Sequence, residues 1–443
     1  MKPPPGPKPW NPFANMRAMQ RDSVAFLSRV AAEYGDASSF RFGPQRVYFF
    51  NHPDLIRDVL VTHNKSFQKG RALQQAKIAL GEGLLTSEGE FHKRQRRLAQ
   101  PAFHRDRINR YGEVMVEHAL RTRERWRDGE EFDAHHEMMR LTLSVVAKTL
   151  FDADVNKEAE DIGRALTELM ELFPLLFNPL AILLRAIPFV SIRRHVKSIG
   201  RLDAVIYRII EERRASAEDR GDLLSMLLLA QDEEGDGGGM TDQQLRDEVL
   251  TLFLAGHETT ANALSWTLYL LAQHPEVERE LHRELDEILG DRAPAPADYP
   301  RLPYTEMVLA ESMRLFPPAW AVGRLALEDV DIGEWRVPRG ALVLVSQWTT
   351  HRDARFWPDP EHFDPMRFTA DAKASRPKLA YFPFGAGARI CIGESFAWME
   401  GVLILAVLAQ RWRFELVNRE PVKPLPLITL RPKGGIAMRA VSL

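Results

Sequence analysis

The 443-residue chain sets 59 Lys and Arg against 61 Asp and Glu, a formal net charge of −2, so no global field draws it to nucleic acid or to a membrane and any docking must be local. Its 45 % apolar fraction can fill a large core and its 27 % charged residues suit a soluble protein, while length alone would predict two or three domains. A single cysteine, Cys391, excludes an intrachain disulfide; by count it is either a small buried hydrophobe or a thiol kept for chemistry.

The chain begins Met1-Lys2-Pro3-Pro4-Pro5, without the charged-then-apolar layout of a signal peptide. Residues 39–42 and 46–50 are aromatic-rich runs on either side of Gly43-Pro44, which predicts a hairpin. From about residue 90 to 315, apolar residues recur every three to four positions and predict helices. The most apolar stretch, 172–190, is broken by Pro174, Asn178, Pro179, Arg185 and Pro188. It cannot supply the roughly 20 uninterrupted residues of a spanning helix, and the expectation is a soluble, cytoplasmic chain with no transmembrane anchor. The acidic, glycine-rich run 233–239 reads as a loop between helices.

Thr241 followed by Gln244 has the form of a capping box. The helix it opens meets no breaker until His274-Pro275, which predicts about 30 residues against the usual 10–14. Residues 250–255 and 261–271 are apolar on nearly every face, the mark of a helix running through the centre of a protein. Beyond residue 325, Gly333-Glu334 separates two short strand-like runs and residues 341–345 are β-prone. Residues 351–390 are rich in Pro, Asp, Phe and Gly; so long an irregular stretch is expected only where it wraps something functional. There are no internal repeats.

The most informative segment is Phe384-Gly385-Ala386-Gly387-Ala388-Arg389-Ile390-Cys391-Ile392-Gly393. Gly385 and Gly387 let the backbone turn tightly or lie flat against a bulky ligand. Cys391 falls where this loop gives way to a helix starting near Gly393, whose partial positive charge and free N–H groups favour a thiolate. Arg389 would project beside whatever the sulfur binds and could pair with an acidic group on it.

This loop resembles the haem-binding signature of the cytochrome P450 superfamily, with its phenylalanine, two glycines, arginine, cysteine and last glycine in register. The resemblance extends over about residues 35–435. It implies a mainly α fold with a small β-rich lobe, built as one domain over 1–443. In that division 1–35 is an N-terminal extension, 36–90 and 325–350 form the β-rich lobe, and 90–315 the helical core. Residues 351–443 supply the meander, cysteine loop, proximal helix and C-terminal hairpin. It implies haem b with Cys391 as axial ligand, held also by Phe384, Gly385 and Gly393; a thiolate ligand pushes electron density toward bound dioxygen and favours O–O cleavage.

Three further matches accompany the loop. Ala255-Gly256-His257-Glu258-Thr259-Thr260 is similar to the family's central-helix segment that crosses the haem. There Ala255 and Gly256 would make room for dioxygen, and Glu258 with Thr259 would relay protons; taken alone, a helical Thr more often bonds its own i−4 carbonyl. Glu311-Ser312-Met313-Arg314, with Phe363-Asp364-Pro365-Met366-Arg367-Phe368, resembles the family's Glu–Arg–Arg triad. Met366 stands where Glu is commonest. Glu311, Arg314 and Arg367 are therefore expected to pin the 351–390 stretch. His92 and Arg96, in the pattern His-x-x-x-Arg…Pro-Ala-Phe, with Arg324 and Arg389, occupy positions that the family uses for the haem carboxylates.

The implied activity is insertion of one oxygen atom from O2 into a hydrophobic substrate such as a fatty acid, terpenoid or steroid-like molecule. The alternatives on the same scaffold are a peroxide-driven peroxygenase and a non-catalytic haem sensor; the paired Glu258 and Thr259 favour the oxygenase. No Gly-x-Gly-x-x-Gly stands in a strand–turn–helix context, so electrons are expected from a separate ferredoxin or flavodoxin with its NAD(P)H-dependent reductase. Lys93, Arg94, Arg96, Arg97, Arg105 and Arg107 against the one acid Asp106 form a basic run. It is either a solvated helix face or the docking patch for that partner; the sparse aromatics speak against nucleic acid. The resemblance puts pocket walls at Leu84, Leu85, Leu169, Phe173, Leu176, Phe177, Ala319, Trp320 and Val322, with 165–190 open to being plain core or a membrane-brushing segment.

Overall fold

Thr241 and Gln244 close the expected capping box: the Thr241 hydroxyl accepts the Gln244 N–H at 3.2 Å, and the Gln244 side chain accepts the Thr241 N–H at 2.9 Å. With two of the four orphan amides satisfied, the helix Asp242–Leu271 runs for 30 residues and ends three residues short of the expected breaker. This is a computed structural model, and it describes residues 2–8, 13–152, 165, 168, 190–216, 220–231 and 238–443. They form two compact units. One holds Met1–Gln75, Ala310–Cys391 and Ile428–Arg431; the other holds Ala76–Leu309, Ile392–Leu427 and Pro432–Leu443.

The first unit is built on a five-stranded sheet in the order Ala37–Phe42, Gln45–Phe50, Leu342–Val345, Val322–Ala326, Phe67–Lys69. The first two strands form the predicted antiparallel hairpin, turned at Gly43 with φ +60°. Gln45–Phe50 and Leu342–Val345 pair in parallel. Strand alternation sorts the side chains. Val47, Phe49 and Leu344 join a cluster with Phe26, Leu27, Val30 and Phe40. Tyr48, Phe50, Val343 and Val345 join another with Ile56, Val59, Phe67 and Phe382. A second hairpin, Val330–Ile332 with Trp335–Val337, turns at Gly333 as the sequence predicts.

The second unit is mainly helical. Its central helix Asp242–Leu271 lies against Ala134–Phe151, where Phe151 stacks on Phe253 with ring centroids 4.4 Å apart. The helix Glu394–Ala409 is buried without a break from Met399 to Ala409. It packs on Arg105–Arg123 at Gly112, where an added Cβ would lie 2.8 Å from Pro296 and 3.4 Å from Leu403. A three-stranded sheet, Glu131–Asp133, Ala437–Ser442, Trp412–Leu416, closes the C-terminal part. Among the described residues no helix is long and apolar enough to cross a membrane. Most of the 233–239 run, and Phe173 and Phe177 with the rest of 169–189, lie outside the described residues.

Removing the Thr241 hydroxyl breaks the box on one side. Thr241→Ala is expected to lower stability by about 1 kcal/mol, measured as a shift of the guanidinium midpoint by circular dichroism with an unchanged slope.

Candidate active site

The cysteine loop is shaped by two glycines in the left-handed region, Gly385 at φ +75° and Gly387 at φ +72°. A Cβ on Gly387 would sit 2.2 Å from the Leu60 carbonyl oxygen, so only glycine fits. The Gly385 N–H donates to the Phe382 carbonyl at 2.9 Å and the Cys391 N–H donates to the Phe384 carbonyl at 3.0 Å. These bonds fold the loop back on itself. Cys391 forms no disulfide and is exposed, although cysteine is among the most buried residue types. The guanidinium of Arg389 donates to the carbonyls of Asn64 at 3.2 Å and Phe67 at 2.9 Å, tying the loop to its neighbouring strand. Arg324 is buried on the strand Val322–Ala326.

Behind this loop in the same unit, Glu311 and Arg314 on the helix Pro303–Leu315 meet in a fully buried bidentate pair, both contacts at 2.7 Å. Arg367 approaches Glu311 at 3.4 Å, and the Asp364 N–H donates to it at 3.0 Å. The structure thus brings the three residues together. Arg314 also donates to the carbonyls of His351, Pro360 and His362 at 2.7–3.1 Å. Burial pushes the Glu311 pKa up, opposed by the Arg314 guanidinium and the Asp364 amide. His351 was not singled out in the sequence, yet it supports the loop directly: its Nε2 accepts the Phe382 N–H at 3.0 Å. Burial, followed by the charges of Arg314 and Arg352, holds its pKa well below the usual histidine value, so the ring is neutral.

In the helical unit, the central helix is buried from Leu245 to Leu271 except at Ala255, Gly256 and Thr259. Positions i, i+1 and i+4 share one face, so the helix opens a single small window. The Thr259 hydroxyl donates to the Ala255 carbonyl at 2.7 Å, the common resting bond of a helical threonine. Gly256 has a packing reason as well: a Cβ there would lie 2.8 Å from Val146. Glu258 is buried at 1 % exposure. His92 and Arg96 share the face of the helix Gly89–Ala99, His92 buried and 3.3 Å from the Ser87 hydroxyl, Arg96 half-buried.

Of the expected pocket residues, Leu84 is buried and Leu85, Ala319, Trp320 and Val322 are half-buried. Trp320 packs on the Phe26–Phe49 cluster and Val322 on the Phe50–Phe67 cluster. The basic run is narrower than its sequence suggests. Arg94 donates to the carbonyls of Gly238 and Gly239, and Arg107 to that of Gly221, which leaves Lys93, Arg97 and Arg105 exposed.

Sequence reasoning missed Glu400. It lies in the fully buried part of Glu394–Ala409, with the Thr260 hydroxyl as the polar neighbour that acts on its carboxyl. Desolvation dominates and Thr260 opposes it weakly, which pushes its pKa up to about 8. Nothing local signals this, because Glu400 sits in an apolar helix where its environment is set by the partner helices.

Comparison with known proteins identifies the family. Residues 4–438 match the family model described as Cytochrome P450. Cyclooctatin synthase of Streptomyces melanosporofaciens is 41 % identical over 415 residues, 93 % of this chain and 90 % of that protein. Cyclooctat-9-en-7-ol 5-monooxygenase of the same organism is 37 % identical over 93 % of this chain and 88 % of that protein. Pentalenene oxygenase of Streptomyces avermitilis is 36 % identical over 95 % of this chain and 93 % of that protein. The chain belongs to the cytochrome P450 family and is a haem-dependent monooxygenase, mainly α with small sheets.

The family implies haem with a cysteine thiolate on iron, dioxygen as substrate and electrons from redox partners. The donor set fits that group. Cys391 is an exposed thiol on a loop whose glycines leave it open to a bulky group, and it would hold the haem iron through its sulfur.

The raised pKa of Glu400 has a thermodynamic signature. The folded state keeps its proton between the ordinary carboxylate value and about 8 while the unfolded state has lost it. Stability therefore falls as pH rises through that window, by up to about 1.4 kcal/mol per pH unit for one group, and levels off above it. Glu278, pushed up to about 7 by burial, adds a similar slope. Glu400→Gln is expected to flatten the decline of the melting temperature between pH 5 and 8 relative to the parent, leaving the Glu278 share. Parallel curves would show that Glu400 is ionised in the folded protein.

Proposed function

We propose that the chain hydroxylates or otherwise oxygenates a polycyclic terpenoid, with Cys391 as the residue whose thiolate would hold haem b. The observation that carries the reading is the window at Ala255, Gly256 and Thr259 in an otherwise buried helix, directly beside a buried carboxylate, Glu258. The relatives, a cyclooctatin synthase, a cyclooctat-9-en-7-ol 5-monooxygenase and a pentalenene oxygenase, support the substrate class. So does the apolar character of Leu84 and Leu85 in one unit and of Ala319, Trp320 and Val322 in the other, none of which carries a charge to anchor an acid.

Haem, when bound, supplies the activation of dioxygen, with electron density pushed from the thiolate. The chain's own work is positional and protonic. Phe384, Gly385 and Gly393 shape the loop that presents the sulfur, and His92, Arg96, Arg324 and Arg389 are proposed to hold the haem carboxylates. Thr259 turns its Oγ1 from the Ala255 carbonyl toward the window and hands over its proton there, and Glu258 restores it from the protein side. Glu311, Arg314 and Arg367 keep the meander behind the loop. Two electrons per turnover come from a ferredoxin or flavodoxin with its NAD(P)H-dependent reductase. The exposed Lys93, Arg97 and Arg105 offer such an acidic partner a landing site.

Two substitutions test the reading. Cys391→Ser is expected to abolish both the strongly red-shifted Soret band of the reduced, carbon-monoxide-bound protein and product formation. A variant that keeps both would remove Cys391 as the ligand. Thr259→Ala, which a helix tolerates well, is expected to keep that band while product per NAD(P)H falls by about tenfold or more and hydrogen peroxide rises. Unchanged coupling would take Thr259 out of the relay, and full activity on hydrogen peroxide alone would favour a peroxygenase.

A further inference from the structure

The loop 81–87, which carries Leu84 and Leu85, is held to the central helix by carboxylates on that helix's first turns. Asp247 Oδ2 accepts the Glu82 N–H at 2.8 Å, and Glu248 accepts the Leu84 N–H at 3.0 Å. Both acids are buried, where a bond to a charged acceptor is strong. The fit is close. A Cβ on Gly81, at φ +71°, would lie 2.1 Å from the Asp247 carboxylate, and one on Gly83 would lie 2.2 Å from the Thr251 hydroxyl. The loop is also braced internally: the Thr86 hydroxyl donates to the Gly81 carbonyl at 2.6 Å, and the Thr86 and Ser87 amides donate to Gly83. Ser87 in turn meets His92.

Asp247 divides its two oxygens between neighbours. Oδ2 takes the loop, while Oδ1 accepts from Gln243 at 2.8 Å and from Arg246 at 3.0 Å. Arg246 reaches the other way, donating from Nε to Asp203 at 2.7 Å on the helix Val190–Ser216. Asp203, Arg246 and Asp247 therefore form one charged chain from that helix, across the central helix, to the backbone of the loop.

We infer that Asp247 is a positioning residue which, through Arg246 and Asp203, latches the loop 81–87 to the helix Val190–Ser216 and so sets how large a molecule the proposed pocket at Leu84 and Leu85 admits. The inference rests on the proposed haem-thiolate reading, in which Leu84 and Leu85 line the pocket. It predicts that the loop and that helix loosen together, and that loosening changes the fit of large ligands while leaving small ones alone.

Asp247→Asn tests the latch on the haem-loaded protein. Asparagine keeps the volume but has one acceptor oxygen, so it cannot serve Arg246 and the Glu82 amide together, and its NH2 faces one of them with the wrong polarity. In hydrogen exchange, a peptide covering 81–88 is expected to exchange about tenfold faster, as for loss of a hydrogen bond to a charged group. Residues 201–210 should follow, and the core of the central helix around 261–271 should stay protected. By difference spectra, the dissociation constant of clotrimazole is expected to change by about tenfold, while imidazole, which needs no loop contact, stays within error. Unchanged exchange at 81–88, or equal shifts for both azoles, would overturn the latch; faster exchange throughout the central helix would mean a merely structural role and overturn it too. Failure of the haem reading would show separately, as an unmutated protein without the red-shifted carbon-monoxide band.

Discussion

A helix of 30 residues with protein on nearly every side must satisfy each polar group it carries, because water reaches almost none of them. The central helix here is not purely apolar: Arg246, Asp247, Glu248, His257 and Glu258 are all buried on it. Their demands organise what surrounds them. Asp247 and Glu248 are answered by amides of the loop 81–87, and Arg246 by Asp203. The His257 Nδ1 donates to the Phe253 carbonyl, while the Thr142 hydroxyl lies 2.8 Å from the His257 carbonyl and joins the neighbouring helix to it. Where the polar demand stops, at Ala255, Gly256 and Thr259, the helix opens. The window is thus defined by what packs on either side of it.

The other unit solves a different problem, an irregular stretch from His351 to Cys391 whose carbonyls cannot all pair in a sheet or helix. One guanidinium takes up three of them. Arg314 is fully buried, and with its fork committed to Glu311 its remaining hydrogens end on the carbonyls of His351, Pro360 and His362. A neutral His351 then carries the order onward to Phe382, from which the cysteine loop folds. Buried ion pairs are weak stabilisers against an apolar replacement, but breaking one partner is costly, by about 3–5 kcal/mol. Their value here is geometric: a fixed fork specifies where two stretches of irregular chain, at His351 and at Pro360–His362, must pass.

Local signals were legible in the sequence. The capping box of Thr241 and Gln244, the turns at Gly43 and Gly333, the Glu311–Arg314 spacing and the cysteine loop each depend on residues a few positions apart. What stayed hidden depends on tertiary neighbours. Glu400 lies in a helix whose pattern offers no clue that Thr260 will be beside it. Asp247 and Glu248, near a helix start, look like the solvated acids that favour the dipole, until the loop 81–87 covers them. For Gly256, which the family resemblance ties to dioxygen, the structure shows a packing reason, Val146. The basic run around Arg97 lost two members, Arg94 and Arg107, to carbonyls far along the chain.

The resting bond of Thr259 is compatible with the relay proposed for it. Its hydroxyl sits on the Ala255 carbonyl at 2.7 Å, as helical threonines commonly do. Such a bond contributes only about 0.5–1.5 kcal/mol net, so releasing it costs at most about a factor of ten in rate. General acid catalysis returns about a hundredfold or more. Holding the hydroxyl on its own helix between turnovers fixes its position at the mouth of the window. It also leaves the Ala255 carbonyl satisfied where no other donor is needed. A side chain free in the window would have to be ordered at each turnover. In the proposed relay, a hydroxyl tethered in this way would need only a swing about χ1 to leave its own helix.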